Sequence, residues 1–123
     1  MNESEPQRRL DPTWEVSPQQ VKIWLDVQSD ELVLLDCRFD AERDIARIEP
    51  SEHIPMDELE ARVEELADYE GRQVVVYCHH GVRSLRVAAY LRAQGLHDAK
   101  SMAGGIEAWS RTIDPSVPEY ESP

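Results

Sequence analysis

Residues 74 to 84 read Val-Val-Val-Tyr-Cys-His-His-Gly-Val-Arg-Ser, and this stretch constrains the fold more than any other. Its first four residues are β-branched or aromatic, with no alternation and no charge. Such a run reads as a strand buried on both faces, which is the mark of a parallel sheet covered by helices. From Ser84 the apolar residues change to helical spacing at Leu85, Ala88, Ala89 and Leu91, and Gly95 stands where a helix would stop. Strand and helix are joined by a loop, Cys78 to Arg83, that opens on a thiol and closes on a guanidinium.

A loop that runs straight into a helix N-terminus gathers unpaired N–H groups, which favour an anion. Gly81 can take the backbone angles that turn those groups inward. Arg83 adds a fixed positive charge with two parallel donors. The end of a buried strand is also where open α/β sheets hold their ligands. Cys78 therefore reads as a nucleophile. A buried cysteine can also be plain apolar filler, but filler does not account for the Gly and Arg that follow.

These residues resemble the active-site loop of rhodanese-like sulfurtransferase domains, whose pattern is Cys-x-x-Gly-x-Arg/Thr-Ser/Ala. They are similar, more narrowly, to the rhodanese modules appended to adenylyltransferases of sulfur-carrier pathways. The resemblance runs from about Val16 to Trp109. It implies a rhodanese-like α/β fold, about five strands in a mainly parallel sheet with helices on both faces. It also implies a sulfurtransferase that carries sulfane sulfur as a persulfide on Cys78 and passes it to a thiol, cyanide or a sulfur-carrier acceptor. His79, His80, Gly81, Val82 and Arg83 would form the substrate-binding loop, with Asp36, Arg38 and Ser84 in support. No metal or organic cofactor is implied. A small sulfur donor or a persulfidated protein donor is expected as partner, with a sulfur carrier or an adenylyltransferase as a further one.

Other segments follow the same pattern. Residues 1 to 12 are polar and hold Pro6 and Pro12, so a loose lead-in is expected before one domain over 13 to 123. Trp14-Glu15-Val16 predicts a short strand. Ser17-Pro18 predicts a helix start, with Val21, Trp24 and Leu25 on one face. Leu32 to Asp36 predicts a buried strand ending in Asp36-Cys37-Arg38, similar to the family's Asp-Val-Arg, so that Asp36 and Arg38 would hold each other and the active loop. A helical turn is expected from Asp40 to Ile45, with Glu42 at the place of a family acidic residue. Arg47 to Ser51 departs from the family's His-Ile-Pro-Gly-Ala at all but Ile48, in a segment expected to form a pocket wall. His53-Ile54-Pro55 predicts a third strand. Asp57 to Tyr69 predicts an amphipathic helix with Leu59, Val63, Leu66 and Tyr69 or Ala67 inside. Ala99 to Met102 predicts a fifth strand, followed by Ala103-Gly104-Gly105 and a helix with Ile106, Ala108 and Trp109. The segment from Thr112 holds three prolines and predicts a surface wrap or a loose end.

Composition narrows the partners. The net charge of −12 argues against nucleic acid and anionic membranes. Residues 1 to 70 hold 20 acidic against 7 basic residues, and the remainder is nearly balanced. The acidic half fits a solvated face, a surface that docks on a basic partner, or one that excludes anionic competitors. Two cysteines without Cys-x-x-Cys spacing, and no leader of signal-peptide character, predict a cytoplasmic protein with free thiols.

Three further readings concern the chemistry. Phosphatase loops of this design place five residues between Cys and Arg, whereas four stand here. A rhodanese-like domain can also serve as a non-catalytic interaction module, an alternative set against the retained Cys78. Adjacent His79 and His80 are expected to point apart, half-exposed, with no third metal ligand in view. Cys37 reads either as an apolar substitute or as a resolving thiol. With histidines after the cysteine, free thiosulfate is expected to be a poor donor.

Overall fold

The computed structural model describes residues 10–28 and 30–121, so residues 1–9 of the expected lead-in lie outside the described residues. The chain runs β1 (Glu15–Val16), α1 (Pro18–Val27), β2 (Leu32–Asp36), α2 (Asp40–Ile45), β3 (Glu52–His53), two 3₁₀ segments (Met56–Glu58 and Val63–Tyr69), β4 (Gln73–Tyr77), α3 (Val82–Ala93), β5 (Lys100–Met102) and α4 (Gly105–Thr112). The five strands form one sheet in the order β1-β5-β4-β2-β3, and every pairing is parallel.

The uniform apolar run of β4 makes it the central strand. Val74, Val75, Val76 and Tyr77 are all buried, and they pair in register with Val33, Leu34, Leu35 and Asp36 of β2. Because side chains alternate across a sheet, the two strands divide their residues between two apolar layers. Val33, Leu35, Cys37, Val74, Val76 and Cys78 pack with Val87, Ala88 and Leu91 of α3. Leu32, Leu34, Val75 and Tyr77 pack on the other side with Val21 of α1 and with Ile106 and Trp109 of α4.

Helix boundaries follow local chemistry. Ser17 caps α1 by accepting the Gln20 N–H at 3.0 Å, and Pro18 stands in the first turn. Gly95 takes φ +106° after α3, and Leu96 N–H reaches back to the Leu91 carbonyl at 3.0 Å.

Two segments differ from expectation. Residues 57 to 69 are not one amphipathic helix but two 3₁₀ pieces joined by turns. A continuous α-helix would stack Glu60 on Glu64, a like-charge pair one turn apart. The 3₁₀ spacing instead buries Leu66 and Tyr69, three residues apart, with Leu59 beside them, and leaves Ala67 exposed. The third strand is Glu52–His53, because Pro55 has no N–H to extend the ladder. Ile54 adds one more bond to the Asp36 carbonyl at 3.1 Å.

Candidate active site

Cys78 leaves the end of β4 and lines a cavity of about 490 Å³ between the loop and α2. The residue is 1% exposed. Its Sγ accepts the Gly81 N–H at 3.1 Å and the Ser84 N–H at 3.4 Å, with the Ser84 hydroxyl at 3.3 Å. The Ser84 hydroxyl is itself held by Ser101 Oγ at 2.7 Å.

The loop is oriented from outside as well. Its carbonyls at Cys78 and His79 accept the first amides of α4, Ile106 N–H at 2.8 Å and Glu107 N–H at 3.2 Å. With the carbonyls drawn outward, the amides of Gly81 and Ser84 face the sulfur. Two glycines make this close approach possible. Gly81 has φ +99°, and a Cβ there would meet the Gly104 backbone nitrogen at 3.0 Å; a Cβ on Gly105 would overlap the carbonyls of Cys78 and His79.

Arg83 does not stand alone. Glu42 accepts both ends of its guanidinium, at 2.7 and 2.8 Å, and the Phe39 ring lies 5.6 Å from the guanidinium carbon. Glu42 is 3% exposed. Burial alone would raise its pKa, but hydrogen bonds from Arg83 and Tyr120 win and hold it at about 2. The pair is therefore charged on both sides.

Asp36 and Arg38 hold each other as the sequence suggested. Arg38 Nε and Nη2 donate to the two Asp36 oxygens at 2.9 and 2.8 Å, and both side chains are fully buried. Tyr77 and Arg43 donate to the same carboxylate at 3.1 and 3.0 Å. The pair reaches the active loop through intermediaries. Arg38 Nη1 donates to Tyr120 Oη at 2.9 Å, and Tyr120 Oη donates to Glu42 at 2.7 Å. Asp36, Arg38, Tyr120, Glu42 and Arg83 thus form one chain of partners that ends beside Cys78.

The two histidines correct another expectation. They do not diverge: their rings stack at 3.8 Å, and the His79 ring stacks again on Tyr120 at 4.0 Å. His79 is buried, whereas the His80 side chain is 55% exposed. Burial, then the neighbouring His80, lowers the His79 pKa and favours its neutral form. Both ring Nε2 atoms face Glu107 Oε2, at 3.9 and 2.9 Å. Glu107 is the third candidate ligand that the sequence did not reveal. The ring planes lie only 23° apart, so their in-plane lone pairs cannot both point at one ion. This geometry suits a hydrogen bond from His80 to the carboxylate, not shared coordination.

The segment 47 to 51 does not wall this cavity. Arg47 to Pro50 lines a separate groove together with Trp109 and Ile113, and Ile48 is buried in the layer beneath α4. The wall comes from Phe39, Ala41 and Val82. Phe39 and Tyr120 were not legible as site residues. One follows the Asp-Cys-Arg strand end without a pattern of its own, and the other lies in a proline-rich tail with no periodicity. That tail is a wrap: Val117 is buried against α4, and residues 122–123 lie outside the described residues.

A family model described as "Rhodanese-like domain" matches residues 17–112. A thiosulfate sulfurtransferase, GlpE, of Actinobacillus succinogenes is 33% identical over 107 residues, covering 86% of this chain and 92% of that protein. The adenylyltransferase and sulfurtransferase MOCS3-1 of Zea mays is 39% identical over 93 residues, covering 72% of this chain. The chain spans only 20% of the length of that protein and 26% of a probable adenylyltransferase/sulfurtransferase, MoeZ, of Mycobacterium tuberculosis. Among solved structures, a rhodanese-like domain protein from Staphylococcus aureus superposes with a TM-score of 0.72 at 27% identity, covering 88% of this chain and 99% of that one.

Proposed function

The chain belongs to the rhodanese-like domain family, and we propose that residues 13 to 123 act as one sulfurtransferase domain with Cys78 as nucleophile and persulfide carrier. The observation that carries this reading is the focus of the Gly81 and Ser84 donors on Cys78 Sγ at one wall of an open cavity. Donors fixed before the reaction stabilise charge without reorganisation.

Two displacements make up the cycle. Cys78 thiolate attacks the outer sulfur of the donor, the donor S–S bond breaks, and its electron pair leaves with the donor. The resulting persulfide, anionic once its outer sulfur carries no proton, lies among the same N–H groups. A second nucleophile (a thiol, cyanide or a sulfur-carrier acceptor) then attacks the outer sulfur and returns Cys78 as thiolate. Arg83 and Glu42, a neutral pair, brace the loop beside the thiol. Asp36, Arg38 and Tyr120 hold Glu42 in turn.

The likeness to part of proteins named as adenylyltransferase and sulfurtransferase in maize and Mycobacterium tuberculosis supports a sulfur carrier as the acceptor. Among the described residues no helix is long and apolar enough to cross a membrane.

The test is direct. The protein is incubated with thiosulfate, an organic persulfide or a persulfidated protein, and its intact mass is read. One added sulfur is expected, lost in Cys78→Ser and kept in Cys37→Ser. Sulfur on Cys37 would sink the site assignment, and no transfer from any donor would favour a non-catalytic docking module.

A further inference from the structure

We infer that this site selects, as sulfur donor, an organic persulfide with a compact apolar body in preference to an inorganic sulfur dianion. The inference rests on the sulfurtransferase reading above and adds a substrate class to it.

Charge comes first. Of the described residues that line the cavity, only Arg83 carries a fixed positive charge. Glu42 takes both ends of its guanidinium, and Phe39 covers a face. Glu42 is buried and held by a second donor, Tyr120, so it is not free to swing away. The exposed imidazole at the mouth, His80, is hydrogen-bonded to Glu107. The Gly81 and Ser84 donors are directed at Cys78 Sγ itself. A dianion arriving beside a thiolate would find no cation to spare, in a protein of net charge −12.

The apolar surface makes the complementary case. Phe39 and Val82 flank the cavity and are 44% and 63% exposed, although both are large hydrophobic side chains. Ala41 continues the wall between them on the α2 side. Phe39 stands at the N-cap position of α2, where a polar side chain is the ordinary choice. A cavity of about 490 Å³ lies within the range of small-molecule sites and has room for a small ring or branched alkyl group.

The step balances without a further reagent. Cys78 thiolate attacks the outer sulfur of R–S–SH. The new Sγ–S bond forms as the donor S–S bond breaks, and R–S⁻ leaves with the electron pair and takes a proton from water. The outer sulfur keeps its hydrogen.

Two persulfides that differ in the body alone provide the test, benzyl persulfide and 2-sulfonatoethyl persulfide, with thiosulfate as a third donor. Loading of Cys78 is followed by intact mass on the full chain. Benzyl persulfide should exceed the sulfonate at least tenfold in kcat/KM. Phe39→Ser with Val82→Ser, both compatible with a helix start, should cut that ratio at least fivefold through KM. Glu42→Gln removes the counter-charge of Arg83 and, whatever it does to the overall rate, should shift relative kcat/KM toward the sulfonate and thiosulfate and away from benzyl persulfide. A ratio near one or below, or a ratio untouched by the double replacement, would overturn the inference and leave the sulfurtransferase reading standing. Absence of loading from all three donors would overturn the inference, and failure of a persulfidated protein as well would overturn the sulfurtransferase reading.

Discussion

Tyr120 and Glu42 stand 78 residues apart in the chain, yet the phenol of one donates to the carboxylate of the other at 2.7 Å. The same phenol accepts from Arg38 at 2.9 Å, and its ring lies on His79. A residue near the C-terminal end therefore ties the buried Asp36–Arg38 pair to the Glu42–Arg83 pair at the active loop.

Tyr120→Phe keeps the ring stack and removes both hydrogen bonds. Leaving two charged groups short of a partner should cost about 1–3 kcal/mol. Urea unfolding should show that loss, and Cys78 loading should slow severalfold. Tyr120→Ala should be worse on both counts. If Tyr120→Phe matches the parent in stability and in rate, the phenol does not couple the two pairs.

Stability should depend on acid in a defined window. Glu42 is held at about 2 against an ordinary 4.5, and Asp36 is also lowered, its burial outweighed by hydrogen bonds from Arg38 and Arg43. Where the folded pKa is depressed, the unfolded chain binds more protons as pH falls. The stabilisation is thus complete above about pH 5 and drains away toward pH 2. Urea midpoints measured from pH 7 to pH 3 should fall, and Glu42→Gln should flatten part of that slope. A Glu42→Gln profile parallel to the parent would remove Glu42 as the source.

Cys37 should behave as packing. Its thiol is buried in the layer with Val33 and Leu35, and burial, then Cys78 and Asp36, raise its pKa well above the ordinary value. A thiol kept protonated is a poor attacker. Cys37→Val should hold stability within about 1.5 kcal/mol and still take up sulfur at Cys78. Persulfidated parent protein left without acceptor should not lose sulfide to an internal disulfide. Non-reducing mass spectrometry that finds Cys37 joined to Cys78 would restore the resolving role.

Gly105→Ala should be far more damaging than its size suggests. The added methyl would run into the carbonyls of Cys78 and His79, at a φ of +63° that alanine resists. A loss of roughly 1–3 kcal/mol or more is expected, together with at least a tenfold fall in sulfur loading because the loop must shift. Gly71→Ala, at φ +78° with open space around it, is the control for backbone strain alone. Equal loading rates in the two variants would show that contact with the loop is not what Gly105 protects.

The fold was legible where one residue type repeats or punctuates. The Val-Val-Val-Tyr run, the Ser17-Pro18 start and Gly95 each act within a few residues, so local chemistry decides them. Cys78, Gly81 and Ser84 were legible for the same reason, since a strand, a turn and a helix start lie in succession. Glu42 came only through the resemblance. Tyr120, Glu107 and Phe39 reach the site by tertiary packing across 27 to 78 residues, and a single sequence holds no trace of such distances. Two acidic groups, Glu42 facing Arg83 and Glu107 facing His80, were also invisible to the charge count of the loop, so the fixed cation at the mouth is already held by a carboxylate. The segment from Asp57 to Tyr69 misled because its apolar residues suit a three-residue and a four-residue turn almost equally.

The clamp between the active loop and α4 has a consequence for motion. Ile106 and Glu107 hold the loop carbonyls, and Gly81 and Gly105 close the gap to backbone contact. Such a joint has no slack to take up, so the thiol is a stationary anvil and not a swinging arm. Whatever brings sulfur to Cys78, and whatever takes it away, must itself travel the distance.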